Sequence, residues 1–275
     1  MTWLADDAVA RLRKIAEEPD FSGTRYRLQR EIARGGMGVV YEAEDLELQR
    51  RVAIKVLSTP EARVIAKLEH PGIVPVHDAG TLPDGRVFYV MKLVRGRTLE
   101  ATDHLRLFLR VCEAVAFAHS RGVIHCDLKP SNVMVGEFGE VLVMDWGIAK
   151  ATGVAAIGGT RGFMPPEQER GEPLDPTADV FALGCMLRMT SPAPMPRRLA
   201  AIVAKCTATD RQNRYPSARE LAVDIAHFID GEPVSAHREN TIERAGRWLD
   251  RNRAVVALIL GYLVMRAIVL LVAHR

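Results

Sequence analysis

The chain has 275 residues, 48% of them hydrophobic, and a formal net charge of +3 at neutral pH. This length allows one large domain or about two modest ones, and so small a charge does not indicate nucleic-acid binding by itself. The cysteines are far apart and form no Cys-x-x-Cys pair, which argues against a zinc site or a disulfide framework and favours a reducing, cytosolic setting; they are Cys112, Cys126, Cys185 and Cys206.

Residues 1–25 are predicted to form an N-terminal helical extension. Apolar residues recur at helical spacing over residues 5–18, and Pro19 with Ser22 and Gly23 ends the pattern. The first residues include two acids and no long apolar core, so they do not form a secretory signal.

Residues 26–95 are predicted to be rich in strands. The stretches "YRLQREIA", "GVVYEAED", "RVAIKVL" and "GRVFYVMKLV" contain many Val, Ile and Tyr residues and are separated by glycines or charged turns. From residue 103 the period becomes helical, first in "DHLRLFLRVCEAVAFAHSRG" and later around residues 179–189, 197–207 and 217–230. A strand-rich segment followed by a helical one predicts an α+β protein with two lobes, at residues 26–95 and 96–232.

Residues 254–273, "AVVALILGYLVMRAIVLLVA", contain one charge, at Arg266. A helix of this length rises about 1.5 Å per residue and just spans a hydrocarbon layer of roughly 30 Å, so we predict a transmembrane helix. Residues 233–253 form a basic segment before it, whereas His274 and Arg275 alone follow. The positive-inside rule therefore predicts that everything before residue 254 is cytoplasmic. A buried core helix is the alternative interpretation.

Glycines between two predicted strands mark a candidate phosphate-binding loop. In "IARGGMGVVYEAED" at residues 32–45, they would let the loop fold closely over a ligand and direct backbone N–H groups at phosphates. Glycines in a hairpin are more often simple turn formers. The indication is stronger because "VAIK" follows, with Lys55 able to point from the next strand toward the same phosphates.

Two acids in the middle of the chain indicate a functional site. The stretch "HCDLKPSN" contains Asp127, Lys129 and Asn132, and Asp145 follows in the short apolar run "VLVMDWG". Buried acids cost free energy unless they are paired or hold a cation.

These motifs, in this order, resemble those of the eukaryotic-type (Hanks-type) bacterial serine/threonine protein kinases over roughly residues 26–230. The resemblance implies a bilobal kinase fold, with ATP and Mg²⁺ as cofactors and protein serine or threonine hydroxyls as substrates. A lysine two places after the catalytic aspartate is the serine/threonine pattern of this family.

The resemblance also implies residue roles. Asp127 would orient the substrate hydroxyl and accept its proton, and Lys129 would steady the transferred phosphate. Asn132 and Asp145 would hold magnesium. Lys55 would contact the ATP phosphates and pair with Glu61. The remaining nucleotide-binding residues, in the glycine loop, the adenine slot and the hinge at residues 91–94, would be Ile32, Ala33, Gly35, Gly36, Gly38, Val40, Ala53, Met91, Lys92, Val94 and Met134.

Three further residues would form structural contacts. By the same resemblance, Glu167 of "GTRGFMPPEQ" would pair with Arg214, and Asp179 would brace the catalytic loop. Thr160 would form a hydrogen bond within the catalytic site.

Four departures from the family pattern are visible. Ala33 replaces a glycine, which is tolerable if its φ is negative, and Cys126 replaces the arginine that normally meets a phosphorylated activation loop. Only "VLSTP" separates Lys55 from Glu61, which predicts a shortened helix C. The stretch "MLRMTSPAPMPRRLAAIVAKC" leaves little room for helix G.

Two alternatives from other functional classes remain open on the sequence. One is a membrane-anchored pseudokinase scaffold that binds nucleotide but signals by contacts, and the other is a small-molecule kinase of related fold, against which the segment "GTRGFMPPEQ" argues. The expected partners are ATP, protein substrates and the membrane, with no nucleic acid. Sensing would need a homodimer or a sensor partner, unless it occurs inside the cell or the chain is a segment of a longer receptor.

Overall fold

The computed structural model describes residues 18–35, 38–57, 68–100, 105–146, 149–155, 158–191 and 193–273. The strands in these residues are β1 (Tyr26–Gly35), β2 (Gly38–Asp45), β3 (Arg50–Leu57), β4 (Val76–Thr81), β5 (Val87–Lys92), β6 (Gly96–Thr98), β7 (Val123–Ile124), β8 (Val133–Gly136), β9 (Val141–Val143) and β10 (Lys150–Ala151). The helices are α1 (Leu105–Ser120), α2 (Pro166–Glu169), α3 (Thr177–Thr190), α4 (Arg197–Cys206), α5 (Ala218–Ile229), α6 (Thr241–Arg251) and α7 (Arg253–Ala273).

The N-terminal lobe is built on an antiparallel sheet in the order β1-β2-β3-β5-β4. Strand β3 is buried from Val52 to its end because both of its faces are covered. Ile54 packs in an aromatic cluster with Tyr26 and Phe88, while Ala53 belongs to the core that continues into the helical lobe. The predicted strand-rich first lobe is therefore observed.

The C-terminal lobe is helical and centres on α1. Its buried residues, which include Phe108, Val111 and Val115, recur at helical spacing and pack in one core with α3, α4 and α5. The small antiparallel sheet β6-β8-β9 contributes Val133, Val135 and Val143 to this core. The predicted α+β, two-lobed architecture is therefore confirmed.

The segment between α3 and α4 is short. Helix α3 ends at Thr190 and α4 begins at Arg197, and residues 191 and 193–196 form no helix. The predicted abridgement of helix G is therefore observed. The predicted shortened helix C falls on residues 58–67, outside the described residues, as does most of the predicted N-terminal helix.

All four cysteines are buried and free. Burial raises the pKa of each thiol. They are therefore packing residues in this fold.

The chain leaves the C-terminal lobe through α6 and α7. In the part of the chain that the structure describes, no single helix has by itself the length and hydropathy of a membrane span. Taken together, the segments Glu243–Leu249 and Ala254–Leu270 have sufficient length and hydropathy, but they are bent by 81° at the break between them.

Candidate active site

A cavity of about 240 Å³ lies between the two lobes and brings together most of the predicted nucleotide-binding residues. Ala53 and Lys55 are two positions apart on β3 and therefore face the same side of the sheet. Met91 lies opposite Ala53, and Val40 lies opposite Lys55, in the neighbouring strands. The residues that line the cavity are Ile32, Ala33, Val40, Ala53, Lys55, Tyr89, Met91, Lys92, Leu93, Val94, Ser131, Asn132, Met134, Met144 and Asp145.

The glycine loop is described in part. Gly35 and Gly38 are paired at the end of the β1–β2 hairpin but do not line the cavity, and Gly36 lies outside the described residues. Gly38 has a φ of +137°, and a Cβ there would be 2.0 Å from the Val56 carbonyl oxygen. Only glycine fits this position. Ala33 is not among the described residues with positive φ, as its substitution for glycine requires.

Lys55 and Asp145 form an ion pair in the cleft. The Lys55 side chain is 5% exposed, whereas that of Asp145 is 34% exposed and reaches the cavity. Asp145 has a φ of +57°, a left-handed conformation that is uncommon outside glycine and concentrates at functional sites. The predicted Lys55–Glu61 pair stays a prediction, because Glu61 lies outside the described residues.

Asp127 is the centre of a hydrogen-bond network in the catalytic loop. Its Oδ2 accepts from Lys129 Nζ at 2.8 Å, and its Oδ1 accepts from the Thr160 hydroxyl at 2.7 Å. Lys129 Nζ also donates to Thr160 Oγ1 at 2.8 Å. The predicted hydrogen bonding of Thr160 within the site is therefore confirmed, and it joins the loop after Asp145 to the catalytic loop.

Asn132 fits the predicted magnesium role together with Asp145. Its Nδ2 donates to the Asp127 carbonyl oxygen at 2.8 Å, which turns the amide oxygen away from that contact. Both Asn132 and Asp145 line the same cavity. Mg²⁺ is usually bound by one or two protein oxygen ligands plus substrate phosphates rather than by a protein cage, and within the described ranges no cluster of three or more His, Cys, Asp or Glu side chains could form such a cage.

Asp179 on α3 braces the catalytic loop as predicted. Its carboxylate accepts from the backbone N–H of His125 at 2.8 Å and of Cys126 at 3.0 Å, and it pairs with His119 Nε2 at 2.9 Å. Burial alone raises the pKa of this carboxyl, but these hydrogen bonds and charges outweigh it, so that its pKa is lowered from the ordinary value. They also hold Cys126 at a φ of +68°.

Glu167 and Arg214 form the predicted ion pair. The guanidinium donates to both carboxylate oxygens, at 2.5 and 2.9 Å, and both side chains are at least 97% buried. The pair connects α2 to the loop before α5, so it stabilises the segment that leads from Thr160 into the helical lobe.

Besides Ser131 and Met144 in the cavity wall, sequence reasoning missed four contributors. Tyr89 is buried in the cavity wall, and burial raises the pKa of its phenol; its position two residues before Met91 on β5 could have indicated this. His119 supports Asp179. His125 Nδ1 accepts from the Asp127 N–H at 3.2 Å, and its Nε2 meets the Met144 carbonyl at 2.9 Å. Gln168 Nε2 donates to the Cys126 carbonyl at 2.7 Å, and no local pattern indicates that contact.

Comparison with known proteins agrees with this geometry. The family model for the protein kinase domain matches residues 26–231. A probable serine/threonine-protein kinase of Streptomyces coelicolor is 34% identical over 80% of this chain and 42% of its own length. The serine/threonine-protein kinase PknB of Mycobacterium tuberculosis is 34% identical over 79% of this chain and 45% of its own length. The serine/threonine-protein kinase PknD of Protochlamydia amoebophila is 31% identical over 75% of this chain and 30% of its own length.

The chain spans less than half the length of these curated relatives. The match to PknB extends over 281 aligned positions, whereas 79% of 275 residues is about 217, so about 64 of those positions have no counterpart here. This shortfall inside the matched region agrees with the abridgement seen between α3 and α4. The family match and the arrangement of the cleft together show that the chain belongs to the protein kinase family, in which it is similar to bacterial serine/threonine-protein kinases.

Proposed function

We propose that this chain transfers the γ-phosphoryl group of ATP to serine or threonine hydroxyls of proteins. The observation that carries the proposal is the contact of an aliphatic hydroxyl, that of Thr160, with both Asp127 Oδ1 and Lys129 Nζ. In this contact a carboxylate and an ammonium group are already spaced to hold one hydroxyl. Phosphoryl transfer to serine or threonine requires such an arrangement.

The residues of the cleft divide the chemistry between them. Asp127 orients the substrate hydroxyl and accepts its proton, while Lys129 stabilises the negative charge of the phosphoryl group in transfer. Lys55 binds the phosphates of ATP, and the apolar side chains of Val40, Ala53 and Met134 pack on its adenine. Magnesium, when held by Asn132 and Asp145, would spread positive charge over the phosphate oxygens.

The described geometry does not favour a pseudokinase scaffold. Lys55 and Asp145 are paired and Asp127 and Asn132 are linked, within one cleft. A protein that signals by contacts alone has no chemical need for all four.

We further propose that α7 anchors the chain in the cell membrane as a single-pass helix, with both lobes in the cytoplasm, although no described helix taken alone has the length and hydropathy of a span. Support comes from its side chains, since apolar residues along it, among them Leu258, Tyr262 and Val264, are more than half exposed. Arginines precede it at positions 238, 244, 247 and 251, and Arg253 is its first residue; such a flank is typically cytoplasmic. A second copy of the chain or a sensor protein as partner stays a prediction.

The test is phosphate transfer from labelled ATP, with magnesium, to the full-length chain itself and to a generic protein, in detergent. We expect transfer by the wild type and its loss, by about 10²-fold or more, in Asp127→Asn. Asp84→Asn is the matched control, because this acid is in the exposed turn before β5. Nucleotide binding without transfer by the wild type would contradict the proposal and favour the scaffold.

A further inference from the structure

Helix α6 presents its polar side to the helical lobe and its apolar side away from it. Glu243, Gly246 and Arg247 border the space between this helix and the lobe. Trp248 and Leu249, in contrast, are 58% and 47% exposed. A surface helix of a globular protein normally does the reverse and buries its apolar stripe. The orientation of α6 therefore needs an explanation outside the packing of the lobe.

An ion pair and several hydrogen bonds hold α6 in this orientation. Arg247 donates to both oxygens of Glu239, at 2.6 Å from Nη2 and 3.0 Å from Nε, and the pair lowers the pKa of Glu239. Glu243 Oε2 lies 3.1 Å from His237 Nε2, and Glu243 forms a capping box with Asn240. The polar side of α6 is thus satisfied by the segment that immediately precedes it.

That preceding segment is itself fixed to the lobe. Val234 is buried, and Asp224 on α5 accepts from the backbone N–H groups of Ser235 at 2.8 Å and Ala236 at 3.1 Å. The direction in which α6 points is therefore set by the lobe, and the exposure of Trp248 follows from it.

The connection to α7 indicates what covers the exposed side. The two helices are bent by 81° to each other, so a helix α7 that crosses a bilayer would leave α6 nearly parallel to the membrane plane. Tryptophan is enriched at the boundary between headgroups and acyl chains. Arg244, which is exposed, lies one turn before Trp248, where an arginine side chain can reach anionic headgroups.

We propose that α6 lies in the membrane interface, with Trp248 and Leu249 inserted at the boundary of the acyl chains. Its polar side is held to the kinase lobe through Arg247 and Glu239, and Glu239 in turn lies 3.8 Å from Arg198 on α4, so that the helix fixes the orientation of the cleft to the lipid surface. The partner is a lipid surface rich in anionic headgroups. This inference rests on the proposed membrane anchoring by α7.

The test uses the full-length chain reconstituted in vesicles of phosphatidylcholine with phosphatidylglycerol, which contain lipids brominated at shallow or at deep acyl positions. Tryptophan emission is compared between the wild type and Trp248→Phe, because Trp3 and Trp146 contribute the background. We expect the difference signal to be quenched strongly by shallow bromine and weakly by deep bromine. We also expect weaker quenching when phosphatidylglycerol is omitted.

Two equally exposed apolar residues provide a test variant and its matched control. Leu249 on α6 and Val223 on α5 are both apolar, helical and 47% exposed. Leu249→Gln is expected to reduce the shallow quenching of Trp248 at least twofold, because it removes apolar area beside the tryptophan. Val223→Gln is expected to leave it unchanged, since that side chain lies on the lobe.

Flotation with the vesicles and resistance to an alkaline wash separate the two proposals. Chain that stays with the vesicles while Trp248 is not quenched would overturn the interfacial helix and leave the anchoring intact. Chain that does not float would overturn both. A blue shift of Trp248 emission that depends on protein concentration and not on lipid would assign the apolar side to a second copy and would also overturn the proposal.

Discussion

The hydroxyl of Thr160 lies 2.7 Å from Oδ1 of Asp127, across 33 residues of sequence. The same hydroxyl accepts from Lys129 Nζ, so one threonine holds both charged groups of the catalytic loop in place. The loop that contains Thr160 is therefore part of the catalytic geometry and not only a route to α2.

Replacement of Thr160 tests this role. Thr160→Val keeps the shape of the side chain but removes the hydroxyl, and we expect kcat with a protein substrate to fall about 3- to 10-fold, the equivalent of one lost hydrogen bond. Thr160→Ser keeps the hydroxyl and should retain most of the rate. An equal loss in both variants would contradict the assignment and indicate a purely packing role.

Lys55 is expected to be essential for catalysis and dispensable for folding. Lys55→Met removes the cation that faces the cavity, and because Asp145 is about one-third exposed, the unpaired carboxylate can be solvated. We expect phosphate transfer to fall at least about 10²-fold, as for a lost electrostatic contact to the transition state, with little change in the thermal midpoint. Lys55→Arg should also be impaired, since a planar guanidinium does not replace a compact ammonium. Transfer at the wild-type rate by Lys55→Met would refute the role.

The Glu167–Arg214 pair is expected to be a major determinant of stability. Glu167→Gln leaves the fully buried Arg214 cation without its counter-charge, and such changes cost about 3–5 kcal/mol. The measurement is the free energy of unfolding by urea. Glu172→Gln is the control, because it breaks a partly exposed pair with Arg211 and should change this free energy little. Similar losses of unfolding free energy in Glu167→Gln and Glu172→Gln would contradict the prediction that the buried pair contributes more than the exposed one.

Asp179 should make the free energy of unfolding depend on pH in the acidic range. Its pKa is lowered in the folded chain from the ordinary value of 3.8, so its carboxylate stabilises the fold above that pH. The stabilisation is lost as the pH falls through 3.8 toward the folded-state pKa. At neutral pH, Asp179→Asn should cost about 1–3 kcal/mol, because a neutral amide accepts fewer hydrogen bonds from His119, His125 and Cys126.

The measurement for Asp179 is the difference in unfolding free energy between wild type and Asp179→Asn as a function of pH. This difference isolates one carboxyl from the other acids of the chain. It should be constant near neutrality and shrink below pH 3.8. A difference that grows as the pH falls would show that the pKa is raised rather than lowered.

The sequence by itself determined the two-lobed fold and most of the cleft. Strand and helix periods are local, and motifs such as "VAIK" and "HCDLKPSN" place Lys55, Asp127 and Asn132 at fixed points on their elements. Period-two alternation is sufficient to put Ala53 and Lys55 on one face. The sequence also predicted that Ala33 has a negative φ, because alanine, unlike glycine, rarely adopts a positive one.

Only the tertiary structure decided which distant groups meet. The hydrogen bond from Gln168 to Cys126 and the contact of His119 with Asp179 join residues 42 and 60 positions apart, and no local pattern specifies such distances. The same holds for the outward direction of Trp248, which depends on how Asp224 fixes the segment before α6 and how Glu239 of that segment binds Arg247. Periodicity identifies the apolar side of a helix, but the packing of the whole lobe decides whether that side faces the core or the surroundings.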